Sequence, residues 1–158
     1  MKVAVRRSPR HNLGVFALRK FKSGEFIIDI TGRVIKKSEM RYIPQNDRDH
    51  LDNIGKGTYI IMGCPERYIN HSCEPNVFVR HRKVYAMRGI AAGEELVGDY
   101  SINGVDNWKM RCRCGSQSCR GIVHGSFFRL PVELQIEYSP YLDDWFRNAY
   151  RNRISRLV

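Results

Sequence analysis

No apolar run in this 158-residue chain approaches the ~18 residues that a membrane-spanning helix needs. The basic opening, MKVAVRRSPRH, leads into no apolar stretch of the secretory type. The protein is therefore expected inside the cell: cytoplasmic if microbial, nuclear if eukaryotic or viral, with no membrane partner. Cysteine is scarce and odd in number, with Cys64, Cys73, Cys112, Cys114 and Cys119 making five. An odd count without a signal segment argues against a disulfide framework. Several catalytic signatures are missing too. There is no nucleophile elbow, no pair of carboxylates at hydrolase spacing, and no Gly-rich phosphate loop ending in Lys-Ser/Thr. His71 has no sequence partner for a triad. Internal repeats and low-complexity segments are also absent.

What is present is the composition of one ordinary globular domain, 42% hydrophobic. Charge is lopsided, with 27 Lys and Arg against 16 Asp and Glu, a net +11. The first 22 residues hold seven basic side chains and no acid, and the tail from Arg147 adds four Arg. Such a balance points toward polyanions, so nucleic-acid or nucleoprotein contact is one expectation.

Periodicity predicts a mostly-β domain of small sheets. Two short strands span Val3 to Ala17 around a polar turn, Ser8 to Asn12. Phe26–Ile30 reads as a buried strand closed by Gly32, and Thr58–Met62 as another. Val77–Val79 and Val84–Met87 pair around basic residues 80–83. Glu95–Val97 leads into Gly98-Asp99-Tyr100. Residues 36–57 read as a loop-rich insert with one short helix near Lys37 to Tyr42. The C-terminal end changes period: a short helix starts at Pro131, and Leu142, Trp145, Phe146, Ala149, Tyr150 and Ile154 form one amphipathic stripe.

Two clusters carry chemistry. Cys112-Arg113-Cys114 with Cys119 offers three soft thiolates in a tight knuckle, and structural zinc wants four ligands. Cys64 and Cys73 are both available as the fourth. The second cluster, Ile69-Asn70-His71-Ser72-Cys73-Glu74-Pro75-Asn76, has neither helical nor strand period and is fenced by turn residues. It carries groups that can bind, titrate or ligate.

Four segments, in order, resemble the SET-domain protein-lysine methyltransferases. They are Asn12-Leu13-Gly14-Val15-Phe16-Ala17 with Gly24-Glu25; Arg67-Tyr68-Ile69-Asn70-His71-Ser72-Cys73-Glu74-Pro75-Asn76; Gly93-Glu94-Glu95-Leu96 with Asp99-Tyr100; and Cys112 to Gly121. The resemblance runs from about residue 3 to residue 122. It implies a SET-type fold of several small sheets with a pseudoknot, a zinc-bound post-SET segment and added C-terminal helices. The implied layout is a SET domain over 1–110, a post-SET zinc segment over 111–125 and a helical extension over 126–158. The implied activity is transfer of methyl groups from S-adenosylmethionine to a lysine of a protein, histone-like or ribosomal proteins included. Leu13, Gly14, Arg67, Tyr68, Asn70, His71 and Tyr100 would contact the cofactor, and Tyr100 would be the catalytic tyrosine. Cys73 would complete the zinc set of Cys112, Cys114 and Cys119. Ile122 and Val123 would close over cofactor and peptide.

Three departures from the family pattern stand out. Asn12 replaces a glycine, although Asn tolerates left-handed backbone. Ile30 replaces a channel tyrosine. Gly98 replaces a bulky aromatic, leaving room for higher methylation unless another side chain, such as Tyr59, fills the space. A +11 chain also repels basic substrates unless acids cluster locally, and Asp47, Asp49, Asp52, Glu66 and Glu74 could form such a rim. The competing reading is a non-catalytic zinc-stabilised SET module that binds nucleic acid or a protein partner.

Overall fold

The computed structural model describes residues 1–157. Strands β1 (Val3–Arg7) and β2 (Leu13–Ala17) form a hairpin, followed by β3 (Phe26–Asp29) and β4 (Gly32–Lys36). A 3-10 helix over Lys37–Tyr42 and a single helical turn, α1 (Gln45–Arg48), precede β5 (Leu51–Gly55) and β6 (Thr58–Met62). Then come the two-residue β7 (Asn70–His71), the hairpin of β8 (Val77–Arg80) and β9 (Lys83–Ala86), and β10 (Glu95–Gly98). Strands β11 (Val105–Arg111) and β12 (Ile122–Ser126) follow, then α2 (Val132–Tyr138), α3 (Asp144–Ala149) and α4 (Arg151–Ile154).

These strands make four small sheets, ordered β1-β2-β10-β7, β3-β9-β8, β4-β6-β5 and β11-β12. The mostly-β expectation holds. Turn chemistry explains the hairpins. Asn12 sits at φ 37°, the left-handed backbone anticipated for it. His81 and Arg82 both have positive φ, 51° and 56°, as the tight two-residue connection between β8 and β9 demands.

Three expectations are corrected. Residues 36–57 are not loop-rich: β5 lies within them and pairs with β6, completing a three-stranded sheet. Its five residues are all half-buried, so the inside-outside alternation that marks a strand never shows. Gly32 does not simply end a strand but opens β4. At φ 133° its Cα lies so near the Ile61 carbonyl that a side chain has no room. The single amphipathic helix near the C-terminus is in fact two, because Tyr150 leaves helical geometry at φ −123°, ψ 25°.

The main core joins three sheets through Val15, Ile27, Ile30, Ile60, Val84 and Leu96. A second core holds the C-terminal extension, built on Phe127, Leu130, Tyr138, Leu142 and Phe146. That extension braces the site from behind. Asp143, the N-cap of α3, accepts the His81 N–H at 2.7 Å, and its own N–H donates to Asn103 at 2.8 Å. The loop after Tyr100 is thereby fastened to the helices. Strand β11 pairs with β12, with Met110 opposite Val123 and Arg111 opposite Ile122, so the chain before and after the cysteine knuckle shares one sheet.

Candidate active site and metal centre

Strand β10 is the hub. It runs antiparallel to β2 and parallel to β7, so the Asn70-His71 segment lies directly beside Val97-Gly98. Asn76, with no exposed surface, locks the crossing. Its side chain accepts the Val97 N–H at 2.8 Å and donates to the Glu95 carbonyl at 2.8 Å and to the Glu94 carboxylate at 3.0 Å.

Asn70 faces the other way. Its amide nitrogen donates to the Leu13 carbonyl at 2.9 Å and to Glu95 at 2.8 Å. Its donors are thus spent on protein, while its amide oxygen accepts no hydrogen bond from the described residues. Gly14 permits this approach, since a Cβ there would fall on the Glu95 carboxylate. Glu95 also accepts from Ser8 and pairs with Arg10 at 3.5 Å.

His71 is buried, and Tyr100 donates its backbone N–H to His71 Nδ1 at 3.2 Å. The ring proton therefore sits on Nε2, which lies 3.4 Å from Cys73 Sγ. Burial pulls the imidazole pKa down to about 4. His71 is neutral, and its 3.8 Å separation from Asp99 is not an ion pair.

The Tyr100 hydroxyl donates to the Ile69 carbonyl at 2.8 Å. Desolvation, with help from the Asp52 and Glu95 carboxylates, pushes its phenol up to about 12. A phenol that holds its proton so firmly orients a partner and does not serve as a base.

The four predicted ligands converge. Sγ atoms of Cys73, Cys112, Cys114 and Cys119 all lie within 4.8 Å of one another. A tetrahedral zinc with bonds of ~2.3 Å holds its sulfurs ~3.8 Å apart. Cys73 and Cys112 are 3.8 Å apart here, so the quartet fits the ion. Burial works to raise the Cys114 thiol, but the Cys73 N–H and the Ser116 hydroxyl bring it down to about 6. Cys64 is exposed and outside the quartet.

Sequence reasoning missed the tie between knuckle and tyrosine loop. Arg120 donates to both oxygens of Asp99 at 2.7 and 2.9 Å, and its backbone N–H lies 3.4 Å from Cys73 Sγ. No spacing rule could have paired residues 99 and 120. Other sites sit further out. Arg67 reaches Asp47 of the insert at 4.0 Å, and the Tyr68 ring meets His50 edge-on. Ile30 lies in the main core. Tyr59 is buried in a separate cluster, its hydroxyl donating to Asp106 at 2.8 Å. A Cβ on Gly98 would meet only Val77, at 4.0 Å. The acidic rim does not assemble as one patch: Glu66 is buried against Thr31, and Glu74 holds Ser118 of the knuckle.

Known proteins match this arrangement. The SET domain pattern matches residues 12–101. Histone-lysine N-methyltransferase 2B of Homo sapiens is 34% identical over 144 residues, covering 77% of this chain and 5% of that protein. The H3 lysine-4 specific histone-lysine N-methyltransferase of Saccharomyces cerevisiae is 33% identical over 137 residues, covering 75% of this chain and 13% of that protein. The chain thus spans a small fraction of these relatives. Among structures, Arabidopsis thaliana SUVH6 in complex with SAM superposes with a TM-score of 0.63 at 23% identity, over 76% of this chain and 32% of that one. With the pattern over more than half its length and the site assembled in the matched segments, the chain belongs to the SET domain family.

Proposed function

We propose that the protein transfers methyl groups from S-adenosylmethionine to a lysine side chain of a protein substrate. The observation that carries this reading is the convergence of Asn70, His71 and Tyr100 at one crossing, each side chain held by a hydrogen bond to the main chain. The relatives' names, histone-lysine N-methyltransferases, support the same class and suggest a histone or similar basic protein. In a eukaryote that substrate would place the protein in the nucleus.

When bound, S-adenosylmethionine supplies a methyl group activated by its sulfonium. Leu13, Gly14, Arg67, Tyr68, Asn70 and His71 would hold it, with the Asn70 amide oxygen offered to the ligand. Tyr100 donates to Ile69, which leaves its oxygen lone pairs to accept from the incoming amine. Fixing that amine in line makes a bimolecular step effectively intramolecular. The ammonium must first lose a proton, from a reference pKa of ~10.4. Ile30 in the channel wall would give an apolar surface that favours the neutral amine. The tyrosine keeps its own proton, so solvent takes the amine's. The cysteine quartet would hold zinc and anchor the post-SET segment, 111–125, beside the 1–110 domain, with 126–158 as the brace.

The test is transfer of label from S-adenosylmethionine to histones and ribosomal proteins, with Tyr100→Phe run alongside and intact mass counting methyls. Transfer by the parent and its loss in the variant is expected. A parent that binds no S-adenosylmethionine would overturn the reading in favour of a zinc-stabilised binding module.

A further inference from the structure

Away from the proposed methyl-transfer site, the insert and the C-terminal helices line an open cleft of about 420 Å³. Tyr59, Phe128 and Tyr150 form its floor, and Lys37, Lys56 and Arg153 stand around it. A second depression of about 390 Å³ adjoins it, formed by residues 148–153 and sharing Tyr150 and Arg153. It adds Arg151 to the row. No carboxylate lines either space. Asp106, which meets the lining Tyr59, has both oxygens engaged, by the Tyr59 hydroxyl and the Asn53 amide, and Glu39 near Lys37 accepts the Lys36 N–H.

Four cations from three chain segments therefore face one track. Among the described residues none of the four forms a salt bridge. Elsewhere the basic side chains are often neutralised, as Arg19 is by Glu25, Lys83 by Asp29 and Arg88 by Glu94. Arg153 is also pre-set, its guanidinium lying 3.5 Å from the Phe128 ring centre. A row of uncompensated like charges repels itself, so it favours a ligand that brings several anions at once.

We infer that this track binds the phosphodiester backbone of a nucleic acid. Two open depressions that share Tyr150 and Arg153, with cations lining both, suit a chain of phosphates better than one phosphate group. The aromatic floor is not open for bases. Arg153 covers one approach to Phe128, Phe146 stacks against the ring at 5.5 Å, and Tyr59 is buried. Contact is thus to the backbone, and recognition is largely independent of sequence. The track contains none of Asn70, His71, Tyr100 or the cysteines, so its occupancy is read without any methyl transfer.

The experiment uses fluorescence anisotropy with two probes of mixed sequence, roughly 20 nucleotides of single-stranded RNA and roughly 20 base pairs of DNA, from about 50 to about 300 mM KCl. The whole protein is compared with Lys37→Glu/Lys56→Glu/Arg151→Glu, which leaves Arg153 on Phe128. A control, Arg6→Glu/Arg7→Glu/Lys22→Glu, makes the same change in net charge on exposed N-terminal residues. Losing three phosphate contacts should weaken single-strand binding roughly 100-fold near 0.1 M salt and flatten the log–log salt slope by roughly 2. The control should bind within a few-fold of the parent. The single Lys56→Glu, at an exposed hairpin tip, should give about a third of the slope change, and it keeps the test valid if the triple variant melts early. The two probes tell RNA from duplex DNA. Equal weakening by the control, no binding by the parent at low salt, or stronger displacement by an acidic or phosphorylated peptide would each overturn the inference.

Discussion

The Arg120 guanidinium grips Asp99 through two parallel hydrogen bonds, 2.7 and 2.9 Å long, on a carboxylate whose side chain has no exposed surface. The pair closes a ring. Asp99 precedes Tyr100, the Tyr100 N–H reaches His71, His71 Nε2 faces Cys73, and the Arg120 N–H faces the same sulfur. The metal knuckle and the tyrosine loop are therefore one mechanical unit.

Removing one partner of a buried pair leaves an uncompensated charge. Arg120→Met should cost about 3–5 kcal/mol of folding stability, whereas Asp99→Asn with Arg120→Gln should cost clearly less. Urea melts of the two variants and the parent check this. A single variant no less stable than the double would refute the pairing energy argued here.

Tyr100 should act as a neutral phenol. With its pKa up at about 12, it keeps its proton through the working range, so transfer should quicken as pH rises toward the substrate lysine's ~10.4. Tyr100→Phe should lower kcat by roughly 100-fold while the two pH–rate profiles stay parallel. The stability sign is also fixed. A folded pKa above the unfolded ~10 means Tyr100 contributes fully below pH ~10 and loses that contribution as pH climbs toward 12. Alkaline melts should show a shallower decline in the Phe variant.

Metal stoichiometry separates Cys73 from Cys64. The parent should carry one zinc per chain, and Cys73→Ala should lose it together with a large part of its thermal stability. Cys64→Ser, at an exposed position outside the quartet, should keep the metal and melt within about 0.5 kcal/mol of the parent. Elemental analysis beside calorimetry reads both. A metal-free but equally stable Cys73→Ala would remove the structural role.

Gly98 leaves space that only Val77 borders. If Gly98 borders the lysine channel of the proposed function, Gly98→Phe should fill it and shift products toward the monomethyl form, with the parent reaching di- or trimethyl. Intact mass of the modified substrate over time distinguishes the two. An unchanged product distribution would place the limit on methyl number elsewhere.

Legibility differed by kind of signal. Hairpin turns were readable because backbone strain restricts the residue types: Asn12 stands where the family pattern keeps a glycine, and Asn is one of the few residues that tolerate left-handed backbone. Strand β5 was invisible because an edge strand with every residue half-buried shows no alternation. The break at Tyr150 was equally hidden, since the apolar stripe continues through it while the backbone turns to let Tyr150 pack on Phe128 and Phe146.

By itself, the sequence determined the chemistry carried at each position: four thiols able to take a soft metal, an Asn-His pair in an irregular segment, a tyrosine after a short strand, and a strong positive charge. These follow from side-chain type and local backbone preference, which act over a few residues. Only the tertiary structure brought Cys73, the ligand the motif resemblance had implied, within reach of the other three thiols, and decided which His71 nitrogen holds the proton and that Arg120 meets Asp99. It also decided that Lys37, Lys56 and Arg153 face one cleft. Each of those is a contact between segments distant in the chain, set by how the small sheets pack.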